Sequence, residues 1–83
     1  MGKERYPMRE LVLGGTYRHY KGKLYRVLHI ARHSETEEQL VIYQALYGDY
    51  GIWARPFSLF MEDVQMSDGT WVPRFSLLEQ EHK

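Results

Sequence analysis

Turn-forming residues interrupt this chain so often that no stretch between residues 14 and 73 is left long enough for a self-standing helix. Gly14-Gly15, Lys21-Gly22, the run "HSETEE" at 33–38, "GDYG" at 48–51, Pro56, "SDG" at 67–69 and Pro73 follow one another at short intervals. The segments between them are rich in Tyr, Val, Ile and Trp, residues that suit a pleated surface. Strands at such spacing predict an all-β domain, a small barrel or sandwich, rather than alternating helices and strands.

The punctuation predicts strands over 16–20, 24–32, 40–47, 52–56 and 73–78. Gly22 fits the left-handed position of a tight hairpin between the first two, where a residue with a Cβ would be strained. Pro56 has no amide hydrogen with which to continue a ladder, so it closes the fourth strand. "FSLFMED" behind it is too short for an independent helix and predicts one helical or 3₁₀ turn. About five antiparallel strands with a short helical turn before the last is the plan of a small SH3-like barrel, an architectural analogy that licenses no function. The domain is expected over 12–78, with the polar segments 1–11 and 79–83 as flexible ends.

At 83 residues the chain is one domain, burying only about 60–65% of its unfolded surface. Its seven Tyr, three Phe and two Trp must therefore supply much of the core volume. The absence of cysteine excludes a disulfide scaffold, thiol chemistry and a Cys-ligated zinc. The N-terminus has no apolar signal region and no run is long enough to span a membrane, so a soluble, cytoplasmic protein is expected. Net charge is zero but unevenly spread. Residues 1–32 hold eight Lys or Arg against Glu4 and Glu10, while 33–68 hold Arg55 alone against seven carboxylates. Mutual neutralisation across neighbouring strands explains that asymmetry more simply than a basic nucleic-acid face, which would keep a net positive excess.

Alternation splits each strand into two faces. One set comprises Tyr17 with His19, Tyr25 with Val27, His29 and His33, Val41 with Tyr43, Ala45 and Tyr47, and Trp53 with Arg55. The other set is more aliphatic. Rings with polar tips suit the mouth of a barrel, so the first set reads as a shallow aromatic pocket gated by Arg55 and the histidines. The plainer reading is a core of tyrosines with satisfied hydroxyls. Trp71, in "SDGTWVPRF", is placed by neither argument.

"HSETEE" joins two long strands, and Ser34 and Thr36 are the residues that bond nearby amides in such loops. His33, Ser34 and Glu35 have the chemistry of base, nucleophile and orienter, but consecutive residues seldom align as a triad and no glycine-rich elbow surrounds Ser34. No catalytic residue is assigned on that basis. His29 and His33 lie about 13 Å apart at strand rise, too far to share an ion. No metal and no cofactor is expected.

Several separated motifs carry a family likeness: Tyr17-x-His19-Tyr20-Lys21-Gly22, Tyr25-x-Val27, His33-Ser34-Glu35-Thr36, Val41-x-Tyr43, Trp53-x-Arg55-Pro56, Phe60 and Pro73-Arg74-Phe75. Over residues 12–76 the chain closely resembles a small bacterial domain of unknown function, DUF 1653, departing from it locally at Ala54, where the family has valine. The resemblance implies a compact β domain and no assigned activity. It also implies that His19, His33, Glu35, Tyr43, Trp53, Arg55 and Arg74 recur together.

The expected function is a non-catalytic binding module for a small ligand, peptide or partner protein, with His19, His33, Glu35, Tyr43, Tyr47, Trp53, Arg55 and Arg74 as its ligand-binding residues. Trp53, Tyr43 and Tyr47 would offer stacking surfaces, and Arg55 and Arg74 would hold an anionic or carbonyl group. One alternative is single-stranded nucleic-acid binding, with Lys21, Lys23 and Arg26 tracking phosphates. Another is a small hydrolase using His33 as general base with Glu35 or Arg55 in support.

Overall fold

The computed structural model describes residues 10–78. Thr16–His19 (β1) and Leu24–Arg32 (β2) form a hairpin because Gly22 takes φ +113°, a conformation that side chains with a Cβ resist. The Gly22 amide donates to the His19 carbonyl at 2.7 Å to close the turn. β2 pairs next with Gln39–Ala45 (β3), and β3 with Ile52–Pro56 (β4). A single helical turn, Phe57–Phe60 (α1), starts directly after Pro56, where the ladder can no longer continue. Asp63–Gln65 (β5) and Trp71–Pro73 (β6) make a separate hairpin, and Phe75–Leu77 (β7) returns to lie antiparallel to β1. The main sheet therefore runs β4-β3-β2-β1-β7, all antiparallel.

The all-β expectation holds, with five strands in the main sheet and the last chain segment beside the first. Among the described residues no ladder joins β4 to β7, so hydrogen bonds do not close the ring of strands. One predicted strand divides in two. Residues 73–78 were expected to be continuous, yet Pro73 ends β6 and the ladder resumes only at Phe75. β5 and β6 are joined through a turn in which the Asp68 carboxylate accepts the Thr70 amide at 3.0 Å and its hydroxyl at 2.7 Å. The helical turn accordingly precedes this hairpin rather than the last strand. Leu11, assigned by composition to a flexible end, packs against the core. Residues 1–9 and 79–83 of the expected ends lie outside the described residues.

A bulge corrects the expected facing of β2. Val27 sits opposite Tyr43, but the next partners are His29 and Ile42, so Leu28 is an extra residue on the β2 side. From that point the alternation reverses. Ile30, not His29, comes to share a face with Val41, and His29 moves to the opposite face.

The Tyr-rich face is in the first place the core. Tyr17, Val27, Val41, Tyr43 and Phe75 turn inward from the sheet, and α1 drops the fully buried Phe60 onto them. Phe60 stacks on Phe75 with ring centres 4.0 Å apart and planes at 4°. It meets Tyr17 and Tyr43 edge-on at 5.6 Å and 5.3 Å. The Tyr17 hydroxyl accepts the Val12 amide at 2.9 Å, tying the segment before β1 to the core. Trp71 is an exposed residue at the start of β6. Among the described residues Arg74 pairs with Glu62 of the acidic block at 3.4 Å. No helix among the described residues is long and apolar enough to cross a membrane.

Phe60 has ring neighbours on several sides and nothing to replace it, so Phe60→Ala should lower stability by about 3–5 kcal/mol, read from urea unfolding. A loss below about 1 kcal/mol would show that α1 does not seal the core.

Candidate functional site

Phe75 is the hub from which the core reaches the surface. His19 lies opposite it in the β1–β7 ladder and meets its ring edge-on at 5.0 Å. Tyr25 and Tyr43 meet the same ring at 5.5 Å and 5.7 Å. The Arg55 guanidinium carbon stands 5.8 Å from its centre, within reach of the ring's quadrupole. Arg55 arrives there because β4 pairs it with Val41, on the core side of the sheet. Its Nε donates to the Tyr43 hydroxyl at 3.3 Å. Tyr43 itself is only 6% exposed, so its hydroxyl is the part that reaches this rim.

Tyr47 lies beyond the end of β3, yet its hydroxyl meets that of Tyr25 at 2.7 Å. Burial pushes the Tyr25 phenol up to about 12, helped by the bond to Tyr47 and by the neighbouring Tyr47 and Tyr43 phenols, with Arg55 opposing. Tyr25 is therefore a neutral group at any ordinary pH. The Lys23 ammonium stands 4.7 Å from the Tyr47 ring centre, adding a cation to this end of the rim.

Arg74 occupies the single residue between β6 and β7, where both its backbone groups are used. Its amide donates to the Glu62 carbonyl and its carbonyl accepts the Tyr20 amide, each at 2.9 Å. The side chain donates through Nη2 to Glu62 Oε1 at 3.4 Å, a long contact to a half-exposed carboxylate. Its Nε is buried and has no hydrogen-bond partner.

His19 is neutral for two concurrent reasons. Its Nδ1 accepts the Lys21 amide at 3.1 Å, which leaves the ring hydrogen on Nε2. Burial lowers its pKa below 6.5, and the positive charges of Arg74, Arg55 and Lys21 lower it further.

His19, Tyr43, Tyr47, Arg55 and Arg74 are thus brought to one rim. Trp53 is beside it, sharing a face with Tyr43 through the β3–β4 register, and is 58% exposed. His33 and Glu35 are elsewhere, at the far end of the β2–β3 hairpin. Eight residues separate Tyr25 from His33, roughly 25 Å at strand rise. There the His33 Nδ1 accepts the amides of Glu35 at 3.1 Å and Thr36 at 3.3 Å, and the Thr36 hydroxyl accepts the Glu38 amide at 3.2 Å. Those bonds make the loop turn, and Glu37 takes φ +66° within it. Tyr25, Lys23 and Phe75 join the rim without having been assigned to it. Tyr25 was already on the correct face by alternation, whereas Phe75 comes from a strand whose register with β1 no local pattern announces. A separate groove of about 240 Å³ lies between β1, β7 and the β5–β6 hairpin, lined by Arg18, Tyr20, Met66, Val72 and Pro73. It touches His19 but includes neither Tyr43, Trp53 nor Arg55.

The family model described as "Protein of unknown function (DUF1653)" matches residues 15–77. The chain belongs to the DUF1653 family. It is similar to the crystal structure of a protein belonging to DUF1653 from Bordetella bronchiseptica, with 35% identity and a TM-score of 0.73. That likeness covers 87% of this chain and 94% of the other. No curated protein matches the chain. The matched span begins and ends where the DUF1653 domain joins its own ends: a Cβ on Gly15 would come within 2.9 Å of Leu77 Cδ1. Every rim residue, from His19 to Phe75, falls within that span.

Burial and the nearby cations that lower the His19 pKa should make the DUF1653 domain acid-sensitive. An unfolded histidine binds a proton near pH 6.5, while the folded one resists it, so between those two values the unfolded state holds more protons. Stability should be full above about pH 7 and fall as pH drops through 6.5 and below. His19→Gln should flatten that fall in urea midpoints measured from pH 7.5 to 5. An unchanged slope would remove His19 as its cause.

Proposed function

We propose that this DUF1653 domain is a non-catalytic binding module whose recognition face is the rim formed by His19, Tyr25, Tyr47, Trp53, Arg55 and Arg74. The supporting observation is that the Arg55 guanidinium stands over the Phe75 ring among Tyr25 and Tyr43, while Arg74, next to Phe75 in the chain, makes one long carboxylate contact. A fold built only for stability gains little from holding a guanidinium over such rings with so few partners. Binding faces do use that combination, since ring and guanidinium offer large contact area with directed donors.

The hydrolase reading has less support, since the His33 Nδ1 accepts two backbone amides of its own turn. The nucleic-acid reading has less support, since Arg26 pairs with Gln44 on the face opposite Tyr25 and Tyr43.

Amide chemical-shift mapping against a mixed library of small molecules and short peptides tests the placement. Shifts should gather at residues 19–25, 47, 53–55 and 74–75. Arg55→Ala should weaken any ligand so found by about 10- to 100-fold, the scale of a lost charge-assisted hydrogen bond, with the remaining spectrum unchanged. Shifts confined to Leu40, Ile42 and their neighbours would overturn the reading.

A further inference from the structure

We infer that the ligand of this face carries an oxyanion, a carboxylate or a phosphate, seated between Arg55 and Arg74 with the Nε2–H of His19 as a third donor. The inference rests on the proposal that the rim is the recognition face, and names the chemistry that face is built to take.

Arg55, Arg74 and His19 hold hydrogen-bonding capacity that their protein contacts leave unused. Arg55 spends its Nε–H on the Tyr43 hydroxyl and keeps both terminal amino groups. Because the Tyr43 oxygen is the acceptor in that bond, its own hydrogen remains to be donated. Arg74 has one long bond to Glu62 and a buried Nε–H without a partner. His19 has its acceptor nitrogen filled by the Lys21 amide, so only a donor is left. What remains at Arg55, Arg74 and His19 is donor capacity. A ligand that satisfies it must be rich in acceptors, and two guanidinium groups favour an acceptor that is also negatively charged and has paired oxygens.

The electrostatics agree. The charged groups acting on His19 are Arg74, Arg55 and Lys21, all positive, from three different parts of the chain. The Glu62 carboxylate is 45% exposed and meets Arg74 Nη2 at 3.4 Å, so solvent screens much of its charge. A neutral imidazole is the suitable third donor in such a place, since it hydrogen-bonds an oxyanion without adding a further cation to be held near two others.

The test follows the Arg Nε–H resonances of the full chain during titration with inorganic phosphate, with acetate and with phenol, using sodium chloride as the ionic-strength control. The inference expects saturable shifts of Arg55 and Arg74 with phosphate or acetate. Arg18 and Arg26, which pair with Ser76 and Gln44 on the opposite face, should not follow them. Saturation by phosphate alone identifies a phosphate ligand, and by acetate alone a carboxylate. Arg55→Gln should weaken the saturating anion at least tenfold while leaving amide dispersion intact. Linear shifts of all four arginines with every salt would mean charge screening only, and would overturn the inference. Rim binding by phenol that Arg55→Gln leaves unchanged, without any anion effect, would overturn it too, while the binding-module reading would stand. Failure of every probe, together with failure of the ligand library at the rim, would overturn both.

Discussion

The stack of Phe60 on Phe75 is the contact on which the other features of this domain rest. Phe60 comes from the one turn of helix and Phe75 from the last strand, so the pair locks the two late parts of the chain onto the sheet made by β1 to β4. A domain this small has few other ways to do so. Its described core holds Tyr17, Val27, Val41, Tyr43, Ala45, Phe60 and Phe75, and four of those seven are aromatic. Once Phe75 is pinned, its remaining edges serve His19, Tyr25, Tyr43 and Arg55. Core and rim are therefore not separate layers; the rim is the side of the core that residues 10–78 leave uncovered.

That arrangement creates an electrostatic problem which the imidazole resolves. Arg74, Arg55 and Lys21 all bring positive charge to bear on His19, so a charged imidazole there would be repelled by each. Turning Nδ1 toward the Lys21 amide keeps the ring neutral and makes the first hairpin turn at the same time. The second hairpin repeats the device, with the His33 Nδ1 accepting the amides of Glu35 and Thr36. In both places histidine acts as Asn or Asp do when their side chains bond the backbone two residues on. A histidine beside Ser and Glu in sequence thus serves the turn itself.

The features legible in the sequence are those with a local physical signature. Gly22, Pro56 and the polar run at 33–38 mark where strands must end, and β1, β2, β3 and β4 fall within two residues of their expected bounds. Alternation placed Tyr17, Val27, Val41 and Tyr43 on one face correctly, because each strand is regular at those residues. Three things were illegible. Leu28 inserts a bulge that no residue type announces, and it carried His29 to the wrong side of the expected face. The strands β5 and β6 have three residues each, too few for alternation to show. Alternation also assigns a face without assigning a position along it, so His33 and Glu35 were grouped with residues a full strand length away. Whether an aromatic face is core or surface depends on what covers it, and here Phe60 covers part and leaves the rest.

Contacts of the Phe75 ring in solution test this account most directly. In an isotope-edited nuclear Overhauser spectrum the ring should show cross-peaks to Phe60 on one hand and to the His19 ring and Arg55 side chain on the other. Cross-peaks to Phe60 alone, with the Arg55 methylenes at their random-coil shifts, would show that the core closes without building the cationic rim.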